Sequence, residues 1–321
     1  MTMSHLPAIS VLVLNWNGWQ ETLACLESVR RLTYPNARIV VIDNGSTDDS
    51  LTRLRAAAAA HASPPCEVLA LEDNAGFAGG MNRGITHALA AGAEYVFLLN
   101  NDTRVAPDVL ERLLAAQLAL PDAGLLGCEL RYPGSETAPG YALTGFDWLR
   151  GYARTWGVPP GGHESVEVDV VSGCAVLASR ALIDRIGLMD DRYFLYFEDV
   201  DWAIRARRAG FTCLVVRGAL VWHRTAGSTR GDQRAPRWTA YYYHTRNNML
   251  LMRKLAPLRA QMLFIPFYIA RTCGTMLRVV GGGLLGRKRN VAPRLLALGA
   301  GFRDGWRGRW GPRTRGRAAQ L

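Results

Sequence analysis

Tyr95-Val96-Phe97-Leu98-Leu99-Asn100-Asn101-Asp102-Thr103 reads as a buried strand that stops at two amides and a carboxylate. Five consecutive apolar residues suit a central parallel strand, because a strand covered on both faces shows no polar side. Asn100, Asn101 and Asp102 then fall at its carboxyl end, the edge where open α/β sheets bind ligands. A lone carboxylate among amides suits a hard divalent cation that shares its shell with phosphate oxygens. The same residue equally suits a cap for the helix expected from Pro107, or an Asx turn.

Toward the amino terminus, Ile9–Leu14, Arg38–Ile42 and Glu67–Leu71 read as strands separated by segments of helical periodicity. Ser46 or Thr47 is the expected N-cap of the Ala-rich helix that runs toward Ala60. The alternation predicts a doubly wound parallel sheet with right-handed crossovers. The loops at Asn15, Asp43 and Asn100 then share one sheet edge, as in a nucleotide site. Asp43 suits an acceptor for a pyrimidine N3–H or a ribose, and equally a cap for the Asn44-Gly45 turn. The glycine-rich run Gly76 to Gly84 lets backbone and ligand approach closely. It lacks the G-x-G-x-x-G order after the first strand and a Walker lysine, so neither a dinucleotide fold nor an ATPase is supported.

Toward the carboxyl terminus, a helix is expected over Pro107 to Leu120. An irregular aromatic excursion follows from Tyr132 to Gly162, and then a strand at Val166–Val171. Cys174 reads as a small buried thiol, since no neighbouring base is identifiable. Tyr193 to Phe197 reads as an aromatic strand and Trp202 to Ala209 as a helix, with Glu198, Asp199 and Asp201 between or within them. Acidic residues suit a first helical turn on dipole grounds. Glu198 and Asp199, placed after aromatics, also suit a general base on a cleft floor. His223 ends a further strand; alone it suits packing, and beside Asp102 it suits a second metal ligand.

The net charge of +11 is concentrated in the last 35 residues, where ten basic side chains face one acidic, Asp304. Such a tail favours anionic lipid or nucleic acid; no RNA-recognition motif accompanies it, which disfavours nucleic acid. Leu255 to Gly286 is strongly apolar but interrupted by Arg259, Arg271 and Arg278. An in-plane amphipathic helix fits better than a membrane span, with core packing or a homo-oligomer interface as the alternative. The six cysteines are scattered without a C-x-x-C pair, which predicts reduced thiols and no zinc site. No basic n-region precedes a long apolar stretch at the amino terminus, so no secretory signal is expected.

Six motifs in order carry a resemblance: Val13-Leu14-Asn15-Trp16-Asn17-Gly18, Val41 to Asp48, Asn74 to Gly84, Leu98 to Thr103, Phe197 to Trp202, and Trp222-His223. Over Ile9 to Arg224 the chain resembles the family 2 inverting glycosyltransferases of GT-A fold, and more narrowly their bacterial rhamnosyltransferase-like members. The resemblance implies a Rossmann-like, mostly parallel α/β domain over residues 1–236; the apolar and basic pattern beyond it reads as a helical, basic, membrane-associating extension over 237–321. It implies that Asp43 recognises the pyrimidine of a dTDP- or UDP-sugar, that Asn15 and Asn17 line the same pocket, that Asn74 and Asn82 complete the nucleoside site, and that Asn101 also contacts the donor. Asp102, at the last position of the family's D-x-D motif, and His223 would hold Mg²⁺ or Mn²⁺. Asn100 stands where the first Asp is expected, which lowers the charge offered to the metal. Asp199 matches the catalytic base, and Gly173, Cys174, Glu198 and Trp202 would line the acceptor side. The implied reaction moves L-rhamnose from dTDP-L-rhamnose to a saccharide or polyprenyl-diphosphate-linked acceptor in cell-envelope synthesis, at the cytoplasmic face of the membrane. The alternatives are a UDP-sugar donor, a cation-dependent nucleotidyltransferase, or an inactive sugar site on a protein that binds membrane or RNA.

Overall fold

The computed structural model describes residues 6–60, 63–134, 141–157, 165–224, 238–285 and 290–313. The 225–237 loop with its 236/237 boundary, and Arg287, Lys288, Arg289, Arg315 and Arg317 of the basic tail, lie outside these residues. In chain order the elements are β1 (Ile9–Asn15), α1 (Trp19–Val29), β2 (Ala37–Asn44), α2 (Ser50–Ala59), β3 (Cys66–Leu71), α3 (Gly76–Ala90), β4 (Tyr95–Asn100) and β5 (Thr103–Val105). Next come α4 (Val109–Ala119), β6 (Ala123–Arg131), β7 (Tyr141–Asp147), β8 (Tyr152–Gly157), β9 (Ser165–Val168), β10 (Ala175–Ser179) and α5 (Arg180–Ile186). The chain continues with a 3₁₀ turn (Asp191–Tyr193), α6 (Glu198–Arg208), β11 (Thr212–His223), α7 (Trp238–Leu255), α8 (Leu258–Leu284) and α9 (Val291–Trp306).

The sheet runs β3-β2-β1-β4-β10-β6-β11-β5, with β7 and β8 forming a hairpin off β6 and β9 pairing β11. Only the β3-β2-β1-β4 half is wholly parallel; β10 is antiparallel to both β4 and β6. The strand–helix alternation up to β4 thus forms the parallel half that was expected of it, and the rest of the sheet is mixed. Val96 to Leu99 are fully buried, as their unbroken apolar run requires. Helices α1 and α4 cover one face and α3, α5 and α6 the other, with a hydrophobic cluster on each side.

Several local readings change. Strand β6 carries Gly124 and Gly127, which weaken its β signal. Added Cβ atoms would lie 2.8 Å from Leu182 and Phe211, and 3.2 Å from Val171, so close packing demands both glycines. The 132–162 excursion contains the β7–β8 hairpin. Residues 194–197 are not a strand: Phe194, Tyr196 and Phe197 have φ of 68°, 69° and 74°, and α6 starts at Glu198. Ser46 and Thr47 do not cap α2, whose N-cap residue is Asp49.

The C-terminal helices share the core. Met249 to Met252, Leu255, Phe264 and Tyr268 belong to the same buried cluster as Leu98 and Trp202. Lys254 of α7 bridges Asp190 (2.7 Å) and the fully buried Asp201 (2.6 Å), and Arg205 meets Asp201 at 2.7 Å. Helix α9 packs on α7 through Gly301, where a Cβ would lie 2.6 Å from the Tyr242 carbonyl oxygen. Helix α8 buries Phe264, Tyr268, Thr272 and Val279 and exposes Met262, Leu263, Ile265, Ile269, Leu277 and Val280. It is 27 residues long, with a window of mean hydropathy 1.3, so by length and composition it could cross a membrane.

Burial alone would raise the Asp190 carboxyl, but hydrogen bonds from Arg192 and Lys254 outweigh it and hold the group well below its ordinary 3.8. A carboxylate depressed by folding stabilises fully above its unfolded value, and that contribution is lost as the pH falls through its folded value. Asp190→Asn should therefore cost about 2 kcal/mol near neutral pH. In thermal denaturation, its Tm deficit should shrink as the pH is lowered below about 4. A deficit independent of pH would show that the charge of Asp190 contributes nothing.

Candidate active site

Parallel pairing sets Asn15 opposite Asp43 at the carboxyl ends of β1 and β2. Asn15 Nδ2 donates to Asp43 Oδ1 at 2.8 Å, and the Ser46 hydroxyl donates to the same oxygen at 2.5 Å. Both donors fall on Oδ1, which leaves Oδ2 as the acceptor for a ligand. The Thr22 hydroxyl donates to Asn15 Oδ1 (2.8 Å) and accepts from Asn101 Nδ2 (3.0 Å), so Asn101 joins the same network. Asn17, in a left-handed conformation (φ 51°), accepts from the Thr47 and Asp48 N–H groups at 2.7 and 3.3 Å. Asn74 Oδ1 accepts from Gly76 N–H (2.8 Å) and from Asn44 Nδ2 (3.1 Å).

The glycine run lies inside α3, not in a loop, and its glycines meet protein. Cβ atoms there would fall 2.3 Å from the Phe194 carbonyl oxygen at Gly76, 2.6 Å from Leu14 at Gly80 and 2.7 Å from Ile42 at Gly84. Close packing of α3 on the sheet explains the run better than approach to a ligand. Asn82 is likewise committed to the fold: Nδ2 donates to the Met189 carbonyl (2.8 Å) and Oδ1 accepts from Met189 N–H (3.2 Å).

The inserted β10 makes the second half of the site. Because β10 runs antiparallel to β4, its leading turn, Ser172 to Cys174, lies at the carboxyl end of β4, where Asn100 N–H donates to the Cys174 carbonyl at 2.8 Å. Gly173 N–H donates to Asp199 Oδ2 at 3.0 Å, and Val200 N–H donates to Asp199 Oδ1 at 2.8 Å. A Cβ on Gly173 would lie 3.0 Å from that of Asp199, so glycine permits the approach. Burial pushes the Asp199 carboxyl above its ordinary 3.8 despite the backbone N–H groups that favour its charge. Neighbouring Glu198 is buried; burial first, and then the charge of Asp199, push it well above its ordinary range. Trp202 points into the core with Nε1 on the Gly187 carbonyl (3.0 Å), and Cys174 is buried, so neither side chain faces the acceptor side that was expected for it.

Pairing of β11 with β5 sets His223 opposite Thr103, and His223 Nε2 lies 3.2 Å from Asp102 Oδ1. Burial would lower the imidazole, but Asp102 and the Cys174 thiol raise it to about 10. Asp102 Oδ2 is buried without a hydrogen-bond partner, and with His223 Nε2, now paired to Oδ1, it makes a donor set that a divalent cation could take over. Among the described residues no group of three or more His, Cys, Asp or Glu is placed to hold a metal ion. These two residues thus fit a cation whose remaining ligands come from a diphosphate and water.

The residues missed by sequence reasoning are those that orient others. Thr22 and Asn44 sit beside recognised motif residues, and Ser46 was read as a helix cap. Arg246 and Asn247 carry no motif signal and are buried in α7.

Comparisons with known proteins bear on the fold and the family. The chain is 29% identical over 228 residues to the N-acetylglucosaminyl-diphospho-decaprenol L-rhamnosyltransferase of Mycobacterium tuberculosis, a match covering 64% of this chain and 73% of that protein. Its fold is shared with a mannosyltransferase from Pyrobaculum calidifontis solved with GDP-Man and Mn²⁺ (TM-score 0.60, 16% identity, 94% of this chain and 88% of that one). It is also shared with residues 1–349 of S. aureus TarS solved with UDP-GlcNAc (TM-score 0.58, 16% identity, 93% and 81%). Residues 10–187, which hold β1 to β4, Asp43, Asp102 and the Gly173 turn, match the model of glycosyl transferase family 2, and the chain belongs to that family.

Proposed function

We propose that the chain is an inverting hexosyltransferase that moves L-rhamnose from dTDP-L-rhamnose to a hydroxyl of a polyprenyl-diphosphate-linked saccharide. The observation that carries the reading is Asp199: a partly exposed carboxylate, oriented by two backbone N–H groups, on the sheet edge that also holds Asp43 and Asp102. Similarity to the mycobacterial rhamnosyltransferase supports the donor and the acceptor class. In this reading Asp43 Oδ2 accepts from the thymine N3–H, while Asn15, Asn17, Asn74 and Asn101 hold the loops around the nucleoside. Asp199 takes the proton of the acceptor hydroxyl as it attacks the anomeric carbon, and the glycosidic bond to the diphosphate breaks in line. Asp102 and His223 would hold Mg²⁺ or Mn²⁺, which would neutralise the charge of the departing diphosphate. A UDP-sugar differs at the base only by a methyl group, so a donor screen must include both.

The reading also places the protein on the cytoplasmic face of the membrane. The support is the exposed apolar face of α8, rimmed by exposed Arg259 and Arg278, since contiguous apolar surface flanked by cations suits an anionic bilayer. A homo-oligomer would cover the same face.

Asp199→Asn should lower transfer by about 10²- to 10⁴-fold, the usual range for removing a general base, while isothermal titration shows donor affinity nearly unchanged. Because the deprotonated form is the base, kcat/KM should fall on the acid side with an apparent pKa above 3.8. Asp102→Asn should weaken the dependence of donor affinity on Mn²⁺ and leave metal-free affinity in place. The double variant Met262→Glu, Leu277→Glu should lose at least about tenfold in sedimentation with phosphatidylglycerol vesicles, given about 1.5–3 kcal/mol for each buried apolar side chain. Unchanged partitioning would remove α8 as the contact.

A further inference from the structure

Two side chains of α7 reach the active-site edge without a role in the chemistry above. Asn247 is fully buried (0% exposed) and aims Nδ2 at three backbone carbonyls, those of Tyr193 (3.1 Å), Leu195 (2.8 Å) and Tyr196 (2.8 Å). Arg246 is 1% exposed; its Nη2 donates to the Tyr193 carbonyl and its Nε to Asn247 Oδ1, both at 2.8 Å. That last bond fixes which way the amide points. The guanidinium is itself held over the rings of Tyr242 and Tyr243, at 5.4 and 4.8 Å, and donates to the Gly311 carbonyl.

The carbonyls belong to a segment that would not keep its shape alone. Three of its four residues from Phe194 to Phe197 are non-glycine residues at positive φ. Each such residue is unfavourable on its own and persists only where its surroundings over-determine it. An amide nitrogen with two protons serves three carbonyls only when the chain curls around it. Other contacts support the curl from outside: Phe77 N–H donates to the Phe194 carbonyl (2.7 Å), and Tyr196 stacks on His244 (4.2 Å between centroids). The exit of the curl has a chemical consequence. Phe197 is the N-cap of α6 and its carbonyl accepts from Asp201 N–H at 2.9 Å, so the left-handed turn sets the start and direction of the helix. Asp199 leaves that helix at its second residue, toward the Gly173 N–H.

We propose that Asn247, oriented by Arg246, is a positioning residue for Asp199: it holds the Tyr193–Phe197 curl in the one conformation that presents the carboxylate to the Gly173 turn. The proposal rests on the reading of Asp199 as the catalytic base. Asn247 touches neither donor nor acceptor in this scheme, so its loss acts on the chemical step and leaves donor binding intact.

The direction of the effect on Asp199 follows from its hydrogen bonds. Backbone N–H groups that bond the charged form favour ionisation; when the curl relaxes and the Gly173 contact weakens, the carboxyl titrates at higher pH. The experiment uses the full chain labelled with ¹³Cγ-aspartate, with the Asp199 resonance assigned by its absence in Asp199→Asn. Asn247→Ala should move the Asp199 midpoint up by about one unit and Arg246→Lys by a smaller step in the same direction. Asn248→Ala, which truncates the adjacent buried amide away from the curl, should leave it in place. With dTDP-L-rhamnose and a GlcNAc-diphosphoryl lipid as substrates, Asn247→Ala should lower kcat by about 10- to 100-fold, with donor KM changed less than twofold and the acid limb of the pH profile displaced to higher pH. An Asp199 midpoint that is the same in Asn247→Ala, or in Arg246→Lys should Asn247→Ala fail to fold, overturns the proposal. Full activity of Asp199→Asn would instead remove the base reading, and the titration would still report whether Asn247 positions that carboxylate.

Discussion

Reversal of strand β10 where it meets the parallel β3-β2-β1-β4 half of the sheet is the constraint from which the rest of the site follows. In the β3-β2-β1-β4 half, every strand delivers its carboxyl end to the same edge, and that edge collects Asn15, Asp43 and Asn100 to Asp102. A further parallel strand would have brought another carboxyl-terminal loop. Strand β10 runs the other way, so the turn that precedes it, Ser172 to Cys174, arrives at this edge instead. That turn offers a backbone N–H from Gly173, with no side chain to obstruct an approaching carboxylate. The parallel half thus holds the asparagines and Asp43, and the reversed strand holds the docking point for Asp199.

Asp199 meets that docking point from a part of the chain that is not in the sheet. Its helix starts where a left-handed curl ends, and the curl is bonded on one side to α3 and on the other to α7. The glycines of α3 serve the same end. Gly76 lets α3 approach the Phe194 carbonyl, while Gly80 and Gly84 lower the helix onto Leu14 and Ile42. A chain segment with unfavourable backbone angles is thereby gripped between two helices, and the strain is borne by contacts remote from the reacting atoms.

The parts legible in sequence were those with local signals. Continuous apolar runs marked β1, β2 and β4, and the polar residues that end them marked the ligand edge, because burial on both faces leaves no other place for polarity. Strand β6 was missed because Gly124 and Gly127 trade β propensity for tight packing on Leu182, Phe211 and Val171, a need that arises only in three dimensions. Aromatic residues at 193–197 satisfy a strand pattern as well as they satisfy a packed curl, and positive φ leaves no mark on residue type when the residue is not glycine. Asn82 and Trp202 were chosen for motif membership, yet their hydrogen bonds go to the Met189 and Gly187 backbone. Asp43, Asp102 and Asp199 stood out as candidates because a carboxylate at a strand or helix end has few reasons to be there besides capping or chemistry.

The C-terminal helices were expected to be a membrane-associating extension with core packing as the alternative, and the inner face of α7 follows the alternative. Helix α7 carries Arg246 and Asn247 to the curl and Lys254 to Asp190 and Asp201, so its inner face is part of the catalytic domain's core. Helix α8 rests on α7 through the Tyr268 hydroxyl, which donates to the Thr245 carbonyl at 2.7 Å, next in sequence to Arg246. Helix α9 closes the group, with Asp304 accepting from the Tyr242 hydroxyl at 3.0 Å and Gly301 against the Tyr242 backbone. A surface that met the exposed face of α8 would therefore press on the layer that holds the curl, one helix away from Asp199. Removal of the chain beyond Gly286 would take α9 from α7 together with the exposed Arg303, Arg307 and Arg309, so truncation would mix any effect on a membrane contact with an effect on the core, whereas substitutions on the exposed face of α8 would not.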